Sequence, residues 1–185
     1  MTRVPYCETM SDEARHLTDE RGDLNVYHAL AHAGEVFTGW MVAGRATLAS
    51  PVVPIKLREL IILRTAHLMA SPYEIAQHTE IAERAGVSPG QRAALEPHAE
   101  LSSGGFDETE LRVLELVTDL ITTKTAAAAS IHTLHESLGD EALIEVLIVI
   151  ARWSGLALML NALDVDIDTD ARFTPPSRDG SKRSG

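Results

Sequence analysis

The chain holds a single cysteine, Cys7, so no disulfide or redox dithiol can form within its 185 residues. Cationic side chains are also scarce. Sixteen Lys and Arg face 27 Asp and Glu, and a net charge of −11 repels nucleic acid and anionic lipid instead of attracting them. Alternating strand patterns are missing, as are Asn-Gly or Asp-Gly hairpin turns between apolar runs, which removes the usual signals of a β-sheet. No Gly-rich phosphate loop, Ser-His-Asp pattern or zinc-type cysteine set is present. The opening MTRVPYCETM lacks the basic-then-apolar pattern of a secretory leader, so a cytoplasmic protein is expected.

What remains is a chain with 45% hydrophobic side chains, long enough to bury about two thirds of its unfolded surface as one unit. The expected fold is all-α, with an N-terminal arm and helix over 1–23, a helical domain over 24–170 and a polar, disordered tail over 171–185. Ser11 can cap a first helix ending near Gly22, and residues 24–33 and 35–48 read as a broken pair with Gly34 at the joint. Pro54 suits the first turn of a helix running to about Ala70. Ser71-Pro72-Tyr73-Glu74 then supplies a cap residue, a proline and a capping-box glutamate for a helix that Gly86 ends. The same logic recurs at Ser88 to Gln91 and at Asp107 to Glu110, the latter opening a helix to about Thr123. A final helical hairpin turns at Gly139-Asp140.

The stretch 142–163 is apolar on nearly every face, but Glu145 and Arg152 interrupt it at roughly 2.5–3.5 kcal/mol each if placed in lipid. A membrane span is therefore not expected. Such a helix is usually enclosed by protein, within the subunit or at a subunit contact, and a homo-oligomer follows as the expected assembly.

Glu59 falls in an apolar stripe with Ile55, Ile62, Leu63 and Ala66, and Glu74 and His78 share a face of the next helix one turn apart. A carboxylate in such a stripe must be paired, hydrogen-bonded or protonated, which is how a general acid or base is tuned. Structural readings stand beside this one. Glu74 is explained by helix capping, Glu59 by pairing with Arg58, Arg64 or an arginine from another helix, and His78 as a core histidine. His28 and His32, one turn apart, have zinc-compatible spacing without a third ligand, so no metal is expected. His132 and His135 read as a solvated helix face.

The run LRELIILRTAHLMASPYEIAQHTEIAERAGVS (57–88) closely resembles the central segment of carboxymuconolactone decarboxylase-like proteins, whose fold is that of alkylhydroperoxidase D, and IEVLIVIARWSGLALMLNALDVDI (144–167) resembles their last helix. Peroxidase relatives place a Glu, a CxxC pair and a His in this region. Here the corresponding positions are Glu59, then Ser71 and Glu74, then His78, and neither Ser nor Glu can perform thiol-disulfide exchange. The pattern from Tyr73 to His78 resembles the decarboxylase-like branch. That resemblance implies a cofactor-independent lyase acting on a small-molecule lactone or keto acid, with Glu59, Glu74 and His78 handling protons and Ser71, Tyr73, His67 and Trp153 near the substrate. An isomerase or cyclase of the same fold, or a non-catalytic helical oligomer binding an apolar ligand, are the alternatives. Dimers, trimers or hexamers are what the resemblance implies for assembly. Trp153 stands where many relatives have tyrosine and Leu158 where an arginine is common, which points to a larger, more apolar substrate than a simple carboxylate.

Overall fold

The computed structural model describes residues 2–19 and 22–169, and among these every regular element is a helix. In chain order they are α1 (Asp12–Asp19), α2 (Asn25–Leu30), a 3-10 turn (Ala31–Ala33), α3 (Glu35–Ala49), α4 (Ile55–Leu68), α5 (Pro72–Arg84), α6 (Pro89–Ala94), a second 3-10 turn (Leu101–Gly104), α7 (Glu108–Thr123) and α8 (Ala128–Leu163). The expected disordered tail, 171–185, lies outside the described residues.

Local chemistry accounts for most boundaries. The Ala14 N–H donates to Ser11 Oγ at 3.2 Å and starts α1, which is described to Asp19; residues 20 and 21, before the end expected near Gly22, lie outside the described residues. Gly34 adopts φ 56° and ψ −123°, separating the 3-10 turn from α3. Pro54 is the cap residue of α4 and not its first helical residue. That helix ends two residues short of the expected Ala70, because Ala70 itself takes φ 50° and reverses the chain into α5. Gly139, at φ 76° and ψ 175°, is a single-residue break inside α8 where a two-residue turn was expected.

Helix α4 is the axis of the molecule and packs against α5, α7 and α8. Every residue from Leu57 to Ala66 is buried, so this helix, and not α8, is enclosed on all sides. Its charged residues must accordingly find partners inside. Arg58 donates to the Thr47 and Ser50 carbonyls at the end of α3 (3.4 and 3.3 Å). Arg64 donates to the Leu95 and Glu96 carbonyls (3.0 and 2.8 Å) and to Thr118 Oγ1 (3.1 Å). The Glu59 carboxylate turns to α5, where His78 meets it. The main aliphatic core joins α4, α7 and α8, and a second apolar cluster joins α1, α2 and α3 with Tyr73 and Leu160. By length and composition α8 could cross a membrane, yet Leu143, Val146, Val149, Ile150, Trp153 and Ala157 are buried against the rest of the chain.

The N-terminal arm is stitched to the segment after α8. Arg3 N–H donates to the Leu163 carbonyl at 2.7 Å, Tyr6 Oη lies 3.1 Å from Asp166 Oδ2, and Asn25 N–H donates to Asp168 Oδ1 at 2.8 Å.

Candidate active site

The joint between α4 and α5 sets the site. Ala70 N–H donates to the His67 carbonyl (3.1 Å) and Ser71 N–H to the Ala66 carbonyl (2.9 Å), a helix-ending pattern that needs the left-handed conformation at Ala70. Because Ser71 N–H is spent on α4, Glu74 has no cap N–H to accept from. The expected capping box does not form. The Ser71 hydroxyl and both Glu74 carboxylate oxygens are buried with no hydrogen-bond partner. Glu74 is 2% exposed. Burial pushes its pKa up to about 8, opposed only by the nearby Ser71 hydroxyl, which lies outside hydrogen-bond geometry. At neutral pH this carboxyl is protonated.

One turn on, His78 is bound at both ring nitrogens. Nδ1 lies 2.8 Å from Glu59 Oε2, and Trp153 Nε1–H donates to Nε2 at 3.3 Å. An indole nitrogen can only donate, so Nε2 is the acceptor and Nδ1 carries the proton given to Glu59. The His78 and Trp153 rings meet edge to face, centroids 6.0 Å apart at 81°. Three helices, α4, α5 and α8, thus contribute one group each to a buried, ordered chain.

Glu74, His78 and Trp153 line an apolar cavity of about 60 Å³, together with Leu24 just before α2, Val26 in α2, and Met41 and Leu48 in α3. Glu59 stands behind His78 and does not line it. Tyr73 lines it too, but its hydroxyl is engaged: it donates to Asp168 Oδ2 and accepts from Val26 N–H at 3.3 Å, while Gln77 Nε2 donates to the same Asp168 oxygen at 2.9 Å. Burial, with Asp168 alongside, pushes the Tyr73 pKa well above the phenol range, so Tyr73 stays neutral. Ser71 and His67 do not line the cavity. Burial lowers the His67 pKa, against the pull of Glu96.

Sequence reasoning did not single out Arg152, Trp40 or Asp168 as site residues. Arg152 lines the cavity beside Trp40 and Trp153, and the signal for it was present: a lone cation in an apolar helix. His28 and His32 are occupied elsewhere. His28 Nδ1 meets the Cys7 carbonyl at 2.9 Å and Nε2 meets Asp23 at 2.6 Å, while His32 Nε2 meets the Pro5 carbonyl at 2.8 Å. Among the described residues no group of three or more His, Cys, Asp or Glu could hold a metal ion. Cys7 sits in the arm with its thiol on the Thr9 carbonyl (2.9 Å), outside the cavity.

Residues 34–119 match the model of the carboxymuconolactone decarboxylase family, a span that includes Glu59, Ser71, Glu74 and His78 but neither Arg152 nor Trp153. Among solved structures, the chain is similar to an alkylhydroperoxidase AhpD core, an uncharacterised peroxidase-related protein from Ralstonia eutropha JMP134. The identity is 16%, over 91% of this chain and 93% of that one, with a TM-score of 0.77. That likeness establishes the fold, a single-domain AhpD-like helical bundle. No curated protein matches the chain.

Proposed function

The chain carries a carboxymuconolactone decarboxylase family domain over residues 34–119, and on that premise we propose that it is a cofactor-independent lyase whose general acid is Glu74. The observation that carries this reading is a buried, unpartnered, protonated carboxyl facing the same cavity as an oriented histidine. In the reaction class proposed, a small lactone or keto acid loses CO2, and the electron pair of the broken C–C bond delocalises toward its carbonyl. Glu74 then gives its proton to that carbon. A proton taken up from solvent restores the Glu74 carboxyl, and the balance is R–COO⁻ plus H⁺ giving R–H plus CO2. The apolar lining excludes bulk water, which keeps Glu74 neutral until the anion forms.

His78 is the second proton-handling group, with Glu59 as its positioning residue. Its Nε2 reaches a substrate only after leaving the Trp153 N–H, whereas Glu74 needs no rearrangement. An isomerase or cyclase would use the same acid and differ only in where the proton is taken up. The Trp153 bond favours one further reading, a non-catalytic pocket for a small apolar molecule, because it occupies the lone pair a base requires.

The test is CO2 release from carboxymuconolactone by wild type, Glu74→Gln and His78→Ala, matched by circular dichroism. Turnover that falls by about 10²-fold or more in Glu74→Gln supports the acid role. Equal turnover in wild type and Glu74→Gln sinks it, and no turnover by wild type rejects this substrate.

A homo-oligomer formed through α8 belongs to the same proposal. Ile144, Ile148 and Leu158 are 50–61% exposed and fall on one face, with Ala151 and Gly155 between them allowing close approach of a second helix. Light scattering should give wild type a multiple of 20.1 kDa and Ile148→Glu a smaller mass. A monomeric wild type contradicts it.

A further inference from the structure

Building on the reading of this cavity as a substrate site, we propose that Asp168 is a positioning residue: through Tyr73 and the first amides of α2 it latches a wall that swings aside to admit a substrate to Glu74. Size sets the need for motion. The cavity holds about 60 Å³, whereas a dry engineered cavity that takes up benzene measures about 150 Å³. A lactone ring therefore does not fit beside Glu74 with the walls where they stand. Glu74, His78 and Trp153 are 2%, 6% and 3% exposed, so a substrate cannot meet them from solvent either.

The walls differ in how firmly they are held. Helices α4 and α8 share the main aliphatic core, and α5 is joined to α4 by the turn at Ala70. Helix α3 is pinned to α8: a Cβ at Gly44 would lie 2.1 Å from Arg152 Nη2, so the guanidinium fills that notch, and Nη2 donates to the Trp40 carbonyl at 3.0 Å. Helix α2 has six residues, and the segment that carries it is bounded by Gly22 at φ 97° and Gly34 at φ 56°. Nothing lies within 4 Å of a Cβ built at Gly34, so backbone conformation, and not crowding, calls for glycine there. Two such joints suit a segment that pivots.

The latch sits at the start of α2. A helix leaves its first N–H groups without internal partners, and Leu24, which precedes α2, offers no side-chain cap. Tertiary partners take that place. Asn25 N–H donates to Asp168 Oδ1 at 2.8 Å and Val26 N–H to the Tyr73 hydroxyl at 3.3 Å. The Tyr73 hydroxyl donates in turn to Asp168 Oδ2, which also accepts from Gln77 Nε2 at 2.9 Å. Leu24, Val26, Tyr73 and Gln77 all line the cavity, so one buried side chain from the segment after α8 ties α2 to α5 on either side of Glu74. Opening costs the bonds at Asn25 and Val26 and the α2 side of the smaller apolar cluster, while the core of α4, α7 and α8 stays closed.

Hydrogen exchange followed by nitrogen-15 NMR tests the latch without any ligand. The Trp153 indole N–H, bonded to His78 Nε2 in the cavity wall, reports the entry of water, and Trp40→Phe assigns it because the chain has two tryptophans. Asp168→Ala should speed exchange of this indole N–H and of the Asn25 and Val26 amides by about tenfold or more, and Tyr73→Phe, which keeps the ring, by about threefold or more. The amides of Leu60 to Leu63 in α4 should keep their wild-type rates. A uniform acceleration that includes α4 marks a merely structural residue and overturns the proposal. Faster exchange at Asn25 and Val26 with an unchanged indole also overturns it, because the entrance then lies elsewhere. If Asp168→Ala does not fold, Tyr73→Phe alone decides between these outcomes. The exchange pattern does not depend on turnover: its presence without CO2 release removes the lyase reading and leaves the latch, and the reverse result removes the latch alone.

Discussion

Three helices open on the same short motif, and only two of them use it in the same way. At α6, Gln91 N–H donates to Ser88 Oγ and Ser88 N–H to Gln91 Oε1, both at 3.1 Å. At α7, Glu110 N–H donates to Asp107 Oδ1 at 2.8 Å and Asp107 N–H to Glu110 Oε2 at 3.1 Å. At α5, Ser71 and Glu74 stand at the same spacing and make neither bond. The difference lies in the preceding chain. Ser88 and Asp107 are approached by loops that leave ψ at 160° and 171°, whereas the tight joint at Ala70 leaves Ser71 at ψ 92° with its N–H already given to Ala66. A motif that closes on itself stabilises a helix. The same motif denied its partners leaves a carboxyl buried, neutral and facing a cavity, and unsatisfied groups of that kind concentrate at functional sites.

The comparison is sharpest in the pH dependence of stability. The folded pKa of Glu74, about 8, lies above its ordinary 4.5, so the native state binds the extra proton between those values. Stability is then fully present below about pH 4.5 and is lost as pH rises toward 8. Denaturant melts of wild type and Glu74→Gln at pH 5 and pH 9 should diverge by several kcal/mol, the variant losing far less at the alkaline end. Parallel loss in both proteins would place the titration elsewhere.

A smaller effect separates the caps themselves. Asp107→Ala and Ser88→Ala should each cost about 1 kcal/mol, while Ser71→Ala should be neutral within about 0.5 kcal/mol because its hydroxyl bonds to nothing. Equal losses at the three sites, measured by urea denaturation, would mean that Ser71 does cap α5. The smallest effect belongs to the joint. Ala70→Gly relieves a left-handed alanine and should change stability by no more than about 1 kcal/mol, towards greater stability, despite the added freedom of the unfolded chain.

How much of this was legible in the sequence follows from the range of the forces involved. The all-α fold and the caps at Ser88 and Asp107 depend on residues three apart and could be read directly. The meeting of Glu59 with His78 was foreshadowed by two polar positions on apolar helical stripes, although an arginine partner for Glu59 was equally open. Ser71 and Glu74 looked like their two counterparts, because nothing local reveals that Ser71 N–H is consumed by Ala66. The contacts of Tyr73 with Asp168 and of Arg152 with Trp40 join residues 95 and 112 positions apart, and only tertiary structure brings them together. Gly44 carried no visible signal either: only the fold shows that a Cβ there would lie 2.1 Å from Arg152 Nη2.

The most direct test of the account is a titration of the glutamate side-chain carboxyls by carbon-13 NMR, with the Glu74 resonance assigned by comparison to Glu74→Gln. The account predicts that this resonance changes with a midpoint near 8, far above its ordinary 4.5. A midpoint in the ordinary range would mean that Glu74 is ionised at neutral pH, and it would contradict the general-acid role.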